Sequence, residues 1–550
     1  MARNTLMKEF LREQFLAALT SLGLPVDAPI MFEKPRVAGH GDLTTNVAMV
    51  LAKKAGRNPR DVAAELIKRL AIDPTLIRAI DVAGPGFINI SLTEKFFRSQ
   101  LNDLIARGTS YGRSSLGRGV KVQVEFVSAN PTGPLTVGHG RGAVFGDTVA
   151  RLMEWTGHDV TREYYFNNAG RQMRILGDSV RLRYLGLLGD AVEFPQDYYQ
   201  GEYIKDIARH LVEHHGDNLR KEPAEGKFKQ QAESEIFDDI KKTLKSIGIE
   251  FASFFNENSL YEDGKITEVI AELRSKGLAY DQDGAVWFKT SSLGLEKDKV
   301  IVKSTGEPTY RLPDIAYHRE KFRRGYQLII DVFGADHVAT YPDVLAGVKA
   351  LGLDEKKIKV LIHQFVTITQ EGEVVKMSTR KANFITLDEL IAEVGADVVR
   401  YFFIMRTISS HLNFDLGLAK QQSDENPVYY LQYAHARISS ILRFAGVQGS
   451  DKPPAGANME LLTGAAELEL IKDLLQFPEI IEVSTASYEP HRLADYLHGL
   501  AGIFHKFYHE HRVVSEDVPL TEARLALCSA TRTVLRNGFA VLGISAPDQM

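Results

Sequence analysis

Val124–Gly146 reads VEFVSANPTGPLTVGHGRGAVFG, and its three parts are chemically distinct. Gly119 to Val127 is rich in valine, with Glu125 interrupting the apolar residues, which predicts a buried strand. Ser128 to Leu135 holds Pro131, Gly133 and Pro134, which predicts a stiff loop. From Val137 a glycine-rich turn is expected to run into a helix. Ala143, Val144, Phe145, Val149, Leu152 and Met153 recur at helical spacing before Gly157 ends the pattern. Strand, loop and glycine-rich helix start together suit phosphate binding, because the first N–H groups of a helix are unpaired and carry positive dipole charge. Gly138, Gly140 and Gly142 would let a nucleotide approach the backbone, with His139 and Arg141 as side-chain donors. Gly138–Ala143 also matches the G-x-G-x-x-A dinucleotide fingerprint. That fingerprint follows its strand directly, whereas here a loop with two prolines intervenes. A third reading has the glycines merely packing helix on strand.

A chain of 550 residues exceeds what one core supports, so roughly two to four domains are expected. With 44% hydrophobic and 25% charged residues it has an ordinary soluble composition. The single cysteine, Cys528, excludes an internal disulfide and a cysteine-rich zinc site. No zinc is expected, and the reducing cytoplasm is the expected location. MARNTLMKEFLREQFLAAL reads as an amphipathic helix rather than a signal peptide, and no apolar run reaches a membrane span. No membrane contact is expected. The net charge of −5 requires any nucleic-acid surface to be a local basic patch.

Residues 1–110 read as a separate α/β module. Helical patterns cover Leu6–Leu19, Thr45–Lys54 and Asp61–Leu70, with Asn58-Pro59 as a cap and first-turn proline. Two short strands flank Gly84-Pro85-Gly86, a hairpin signal. Lys53, Lys54, Arg57, Arg60, Lys68 and Arg69 form a basic cluster, either a solvated face or an RNA contact. Residues from about 178 to 300 are helix-rich and charged, and read as an insertion between two halves of a nucleotide-binding sheet. The second half supplies strands at Gln327–Val332 and Lys359–Phe365, with Gly334-Ala-Asp-His337 past the first of them. That is the carboxyl edge, where open α/β sheets bind ligands. Residues 416–550 lose the strand pattern and read as a helix bundle. There Tyr429, Tyr433 and Arg437 combine stacking and phosphate-binding side chains, although helical spacing makes core positions of some of the neighbouring aromatics.

SANPTGPLTVGHGRGA, with Thr136-Val-Gly-His139 inside it, resembles the His-x-Gly-His signature of class I aminoacyl-tRNA synthetases, and the arginyl-tRNA synthetases in particular. Lys376-Met-Ser-Thr-Arg380, after a strand and a polar turn, resembles their second signature, KMSKS. HGDLTTNVAMVLAKKAGRNPRDVA and VAGPGFIN resemble the family's N-terminal additional domain; SDENPVYYLQYAHARI and LRNGFAVLGISAP resemble its anticodon-binding domain. The resemblance implies a multidomain α/β protein. It comprises an additional tRNA-binding domain at 1–110, a Rossmann-like parallel-sheet catalytic domain at 111–415 with the insertion at about 178–300, and a helical anticodon-binding domain at 416–550. It implies ATP-dependent ligation of L-arginine to tRNA(Arg) through arginyl-adenylate, with Mg2+ accompanying ATP, in a monomer.

The implied catalytic residues are His139, Lys376 and Thr136, with Gly138, His139, Gly140, Lys376, Met377 and Ser378 on ATP. Glu125, Asn130, Tyr310, Asp314 and Asp336 are implied for arginine, with a plain salt bridge as the alternative for Glu125. Tyr429, Tyr433, Arg437, Lys53 and Arg57 are implied for tRNA. Thr136 stands where the first histidine is usual, Thr379 where the second lysine is, and Asn168 where an acid is. Two rivals remain. One is a tRNA-binding paralogue without activity. The other is a nicotinamide-dependent dehydrogenase, which leaves KMSTR unexplained.

Overall fold

Five parallel strands make the middle layer of the molecule: β1 Lys121–Glu125, β2 Asp159–Phe166, β3 Ser253–Asn256, β4 Leu328–Gly334 and β5 Ile358–His363. A computed structural model describes residues 3–27, 29–35, 39–375, 385–447 and 456–550. The expected ATP contacts at Lys376, Met377 and Ser378 therefore lie outside the described residues. The strand order is β5-β4-β1-β2-β3. It reverses between β1 and β4, and at such a switch point the loops leave in opposite directions and open a crevice. Val122, Val124, Ile329 and Ile330 are fully buried, as strands covered on both faces require.

β1 is shorter than the valine-rich stretch because Val127 (φ 68°) and Ser128 (φ 44°) turn left-handed. A β-branched residue rarely adopts that conformation, and such strain collects at functional sites. The following helix, Val137–Trp155, begins at once, so the expected glycine turn is its first turn. Thr136 is its N-cap. Gly146 lets this helix press onto β1: a Cβ there would lie 2.4 Å from the Phe126 ring.

β3 lies inside the stretch expected to be an insertion, yet it pairs parallel with β2 as the sheet's edge. Four residues, SFFN, were too short and too polar at their ends to announce a strand. A small antiparallel sheet follows, from Ala279–Gln282, Ala285–Phe288 and Lys299–Val302. Beyond β5, Val366–Gln370 pairs antiparallel with Glu373–Val374 and parallel with Leu412–Asp415.

The N-terminal helices Arg3–Ser21, Val47–Ala55 and Pro59–Arg69 accompany a three-stranded sheet that holds the expected hairpin. Asn58 accepts from the Arg60 N–H with Pro59 in the first turn. The next helix, Glu94–Arg107, joins this module to the C-terminal bundle. Its Arg98 reaches Glu460 at 2.9 Å and the Leu462 carbonyl at 3.0 Å. Asn537 donates to the carbonyls of Gly108 and Tyr111, each at 3.0 Å. The bundle comprises Pro427–Phe444, Ala465–Leu474, Phe477–Ser487, His491–Glu510 and Val518–Leu542. Phe477–Ser487 is a helix that the periodicity did not single out.

Candidate active site

All five strands deliver polar residues to one edge of the sheet. β1 leads to the loop before Thr136, β2 to Asn167 and Asn168, β3 to Glu257, β4 to Asp336 and His337, and β5 to His363 and Gln364.

The helix Val137–Trp155 starts at this edge, locked by a reciprocal cap. The His139 N–H reaches the Thr136 hydroxyl at 3.5 Å, while the Thr136 N–H donates to His139 Nδ1 at 3.2 Å. Threonine is among the preferred N-cap residues, which accounts for Thr136 at this position. An Nδ1 that accepts leaves the proton on Nε2. Burial lowers the His139 pKa, against a smaller opposing effect of Asp336. The ring is thus a neutral Nε2–H donor beside the unpaired N–H groups of the helix start.

The glycines divide by role. A Cβ on Gly138 would meet nothing nearer than the Thr136 hydroxyl at 3.7 Å, so that face is open. Gly140 turns its Cβ side inward. A Cβ there would lie 2.6 Å from Leu387 and 3.0 Å from Phe403, so it packs against the core. The dinucleotide fingerprint needs this glycine for backbone approach to pyrophosphate, and the dinucleotide reading falls with it. Gly142 faces His363 Nε2, 3.0 Å from a notional Cβ; burial pushes that imidazole down to about 4. Arg141, expected as a nucleotide donor, is buried and among the described residues bonds only to backbone carbonyls.

Carboxylates gather at the same edge. Asp314 sits in the first turn of the helix Arg311–Arg323. Burial raises it to about 7, with Glu125 and Glu257 adding and His318 and Lys321 opposing. Its carboxylate has no hydrogen-bond or ion-pair partner among the described residues, although the residue keeps some solvent exposure. Glu257, which sequence reasoning missed, accepts from Tyr165 Oη at 2.6 Å, Asn167 Nδ2 at 2.8 Å and Tyr261 Oη at 3.2 Å. Burial raises its pKa against those three bonds.

Glu125 makes a buried salt bridge. Lys321 Nζ lies 2.5 Å from Oε2 and 2.7 Å from Asp331, and Ser128 donates to Oε1 at 2.9 Å. Burial raises Glu125, while Lys321 and His318 overcome burial and hold Asp331 well below the usual range. Asn130 is held between Gln172 Oε1 at 2.9 Å and the Asn167 N–H at 3.1 Å. Asp336 is exposed, 3.7 Å from His337. Tyr310 precedes the Asp314 helix with its residue 81% exposed, outside any buried recess. Asn168 donates to Glu233 Oε1 at 2.6 Å, so a carboxylate from the helix Lys229–Ser246 meets it.

Far from this edge, Tyr429, Tyr433 and Arg437 share one face of Pro427–Phe444. Tyr429 and Tyr433 stack at 6.0 Å, and Arg437 lies 4.7 Å over Tyr433 and 5.2 Å over Tyr508. Tyr433 and Arg437 line a cleft of about 850 Å³ together with Phe444, Tyr508, Arg512 and Met550. His435 points inward to the Pro547 carbonyl at 2.8 Å. In the N-terminal module, Arg57 is paired with Glu65 at 2.7 Å and Lys54 with Asp27 at 3.1 Å, while Lys53 makes no ion pair among the described residues.

Residues 100–400 match the family described as tRNA synthetases class I (R), catalytic domain. Residues 9–92 match Arginyl tRNA synthetase N terminal domain, and 431–550 match DALR anticodon binding domain. An arginine–tRNA ligase of Desulfotalea psychrophila is 53% identical over 519 residues, 94% of each chain. One from Chlorobium phaeovibrioides is 50% identical over 552 residues, covering 99% of this chain and 100% of that one. The fold resembles the solved arginyl-tRNA synthetase of Thermus thermophilus, with TM-score 0.76 at 22% identity over 99% of this chain and 100% of that one.

Proposed function

The chain belongs to the class I arginyl-tRNA synthetases, and on that premise we propose how its residues perform the reaction. It attaches arginine to tRNA at the expense of ATP. The carboxylate of arginine is itself the nucleophile. One of its oxygens attacks the α-phosphorus of ATP, the bond to the β-phosphate oxygen breaks, and pyrophosphate leaves with that electron pair. A ribose hydroxyl of the tRNA terminus then displaces AMP from the adenylate. Such chemistry needs positioning and charge stabilisation more than a protein nucleophile.

The phosphates occupy the open start of Val137–Trp155, near Gly138, with His139 Nε2–H as donor. Lys376 supplies the cation for the departing pyrophosphate. Mg2+ enters as part of the ATP substrate. The guanidinium of arginine settles on Asp314, with Glu257 as the second carboxylate. Asn130 serves the amino-acid end, and Asp336 the α-amino group. The unpaired carboxylate of Asp314, raised by burial at the switch-point crevice, carries this assignment: a buried acid without a partner favours a cation that restores its charge. A guanidinium offers five donors in a plane, which a lysine ammonium cannot imitate.

The aromatic and cationic face of Tyr429, Tyr433 and Arg437 takes the anticodon, and Lys53 with Arg57 the outer corner of the tRNA. The domains are 1–110, 111–415 and 416–550, in a monomeric cytoplasmic protein. No described helix is long and apolar enough to cross a membrane. No observation favours a tRNA-binding paralogue without activity. Charging of total tRNA with each amino acid in turn tests the function: arginine alone should be attached, and labelled pyrophosphate should enter ATP when arginine and tRNA are both present. Charging with any other amino acid, or none, would sink this reading.

A further inference from the structure

Arg141 follows His139 by two residues and is 1% exposed, among the most deeply buried side chains of the protein. It has no carboxylate partner among the described residues. Nη1 donates to the carbonyls of Gln364 and Ser410, both at 2.9 Å, and Nη2 to that of Thr407 at 3.1 Å. Burial draws its pKa down to about 10, and its Nε finds no acceptor. A cation kept in such a place at that electrostatic cost calls for an explanation beyond packing.

The three carbonyls identify one. Gln364 lies between β5 and Val366–Gln370, while Thr407 and Ser410 precede Leu412–Asp415. These two approaches are bonded to each other: the Gln364 N–H to the Ile408 carbonyl and the Leu412 N–H to the Phe365 carbonyl, each at 3.2 Å. They are the base of the small sheet whose hairpin, Val366–Gln370 and Glu373–Val374, runs on in sequence to Lys376. At the far side of Lys376 the chain returns to the same helix. Thr386 bridges Thr136, and the Leu387 N–H donates to the Leu135 carbonyl at 2.8 Å. The described chain before and after the second signature is therefore bonded to the helix start that carries the first.

We propose that Arg141 is a positioning residue for adenylate formation. Through Gln364, Thr407 and Ser410 it holds the small sheet in register with the helix that carries His139, and it does not touch ATP. The proposal rests on the assignment of His139 and Lys376 to the two ends of the triphosphate. A planar guanidinium spans three carbonyls from two chain segments; a lysine ammonium has one nitrogen to divide among them. A misplacement of about 1 Å between reacting groups can cost about a hundredfold in rate.

The test uses the full chain with Arg141→Met and the milder Arg141→Lys. In pyrophosphate exchange with tRNA present, kcat should fall about tenfold to a hundredfold for Met and less for Lys, with the KM for arginine within about twofold. Amide hydrogen exchange should speed up about tenfold in 366–374 and 412–415 while β1 to β5 keep their protection. Unchanged local protection, protection lost throughout the catalytic sheet, or a KM for arginine that moves with kcat would each overturn the proposal. If Arg141→Met fails to fold, Arg141→Lys carries both readouts. Lys376→Ala is run alongside. A near-wild-type rate there sinks the assignment of Lys376 but leaves both Arg141 readouts decisive.

Discussion

At the scale of single residues, the proposed contact with the guanidinium rests on the setting of Asp314. Its carboxylate is raised to about 7 by burial and has no hydrogen-bond or ion-pair partner among the described residues, so it is poised to ionise fully when a guanidinium arrives. Asp314→Asn should raise the KM for arginine at least about tenfold, the loss of roughly 1.4 kcal/mol or more from one charged contact. The KM for ATP should stay within about twofold. Exchange kinetics with each substrate varied separately check this, and joint loss of both substrates would make Asp314 a support of the fold. The same shift fixes a pH dependence. Arginine needs the ionised acid, so its KM should be flat above pH 7 and rise as pH falls below it, approaching about tenfold per unit. A flat profile from pH 6 to 8 would mean the acid is already ionised. Stability runs the opposite way to arginine affinity. Because the folded value lies above the unfolded one, the folded state binds more protons in between, and stability falls as pH rises through that window to about 7. Asp314→Asn should thus not lower the Tm at pH 7.5. None of this environment could be read from the helix Arg311–Arg323. Its buried residues include Leu312, Ile315 and Ala316 but also His318, Arg319, Glu320 and Lys321, so no single apolar stripe marks the buried face.

The elements around the crevice show how local rules serve the site. The cap of Val137–Trp155 does two jobs: it starts the helix, and it sets the tautomer of His139. The backbone N–H of Thr136 holds Nδ1, so the tautomer survives loss of the hydroxyl. Thr136→Ala should therefore cost about 1 kcal/mol of stability as a lost cap, with Thr136→Ser close to wild type and the exchange kcat of both within about threefold. Thermal unfolding and exchange assays read the two effects apart. A large fall in kcat for Thr136→Ala at unchanged Tm would instead place the hydroxyl on a phosphate. Strand, proline loop and helix were each legible here from composition and period. The fates of Gly138, Gly140 and Gly142 were not. The three residues are alike in sequence, and only the arrival of Leu387, Phe403 and His363 from distant segments separates open space from core.

Across the whole molecule, the N-terminal module and the C-terminal bundle touch each other, and the bundle packs on the catalytic domain. Phe96, Phe97, Leu101 and Leu104 of the helix Glu94–Arg107 are buried, and Arg98 is ion-paired to Glu460. A cut after residue 110 would strip that helix from the bundle, whereas a cut after residue 92 would leave it in place. Deleting 1–92 should weaken tRNA binding and shallow its salt slope by about one unit per lost phosphate contact, with the bundle still cooperative on heating. Deleting 1–110 should also lower the Tm of the bundle, since each large apolar side chain uncovered is worth about 1.5–3 kcal/mol. Binding over a salt series and calorimetry on both truncations decide it. An unchanged affinity and slope would make Lys53 and Arg57 a solvated surface.

Order along the chain carried the family, the parallel sheet and the helical C-terminal region. Period, turn residues and signature strings are local properties, and they survive in one dimension. The stretch around Thr136–Gly146 was enough to locate the glycine-rich helix start, and Asp314 could be named before its surroundings were known. What needed the tertiary structure was every pairing across long separation. Glu125 met Lys321 rather than standing free; Glu257 arrived from a strand that read as insertion; Arg141 turned from the nucleotide to three carbonyls more than 200 residues away. The reason is physical. Burial sets the cost of a charge, and whether a charge is buried depends on partners that only the folded chain brings within a few ångströms.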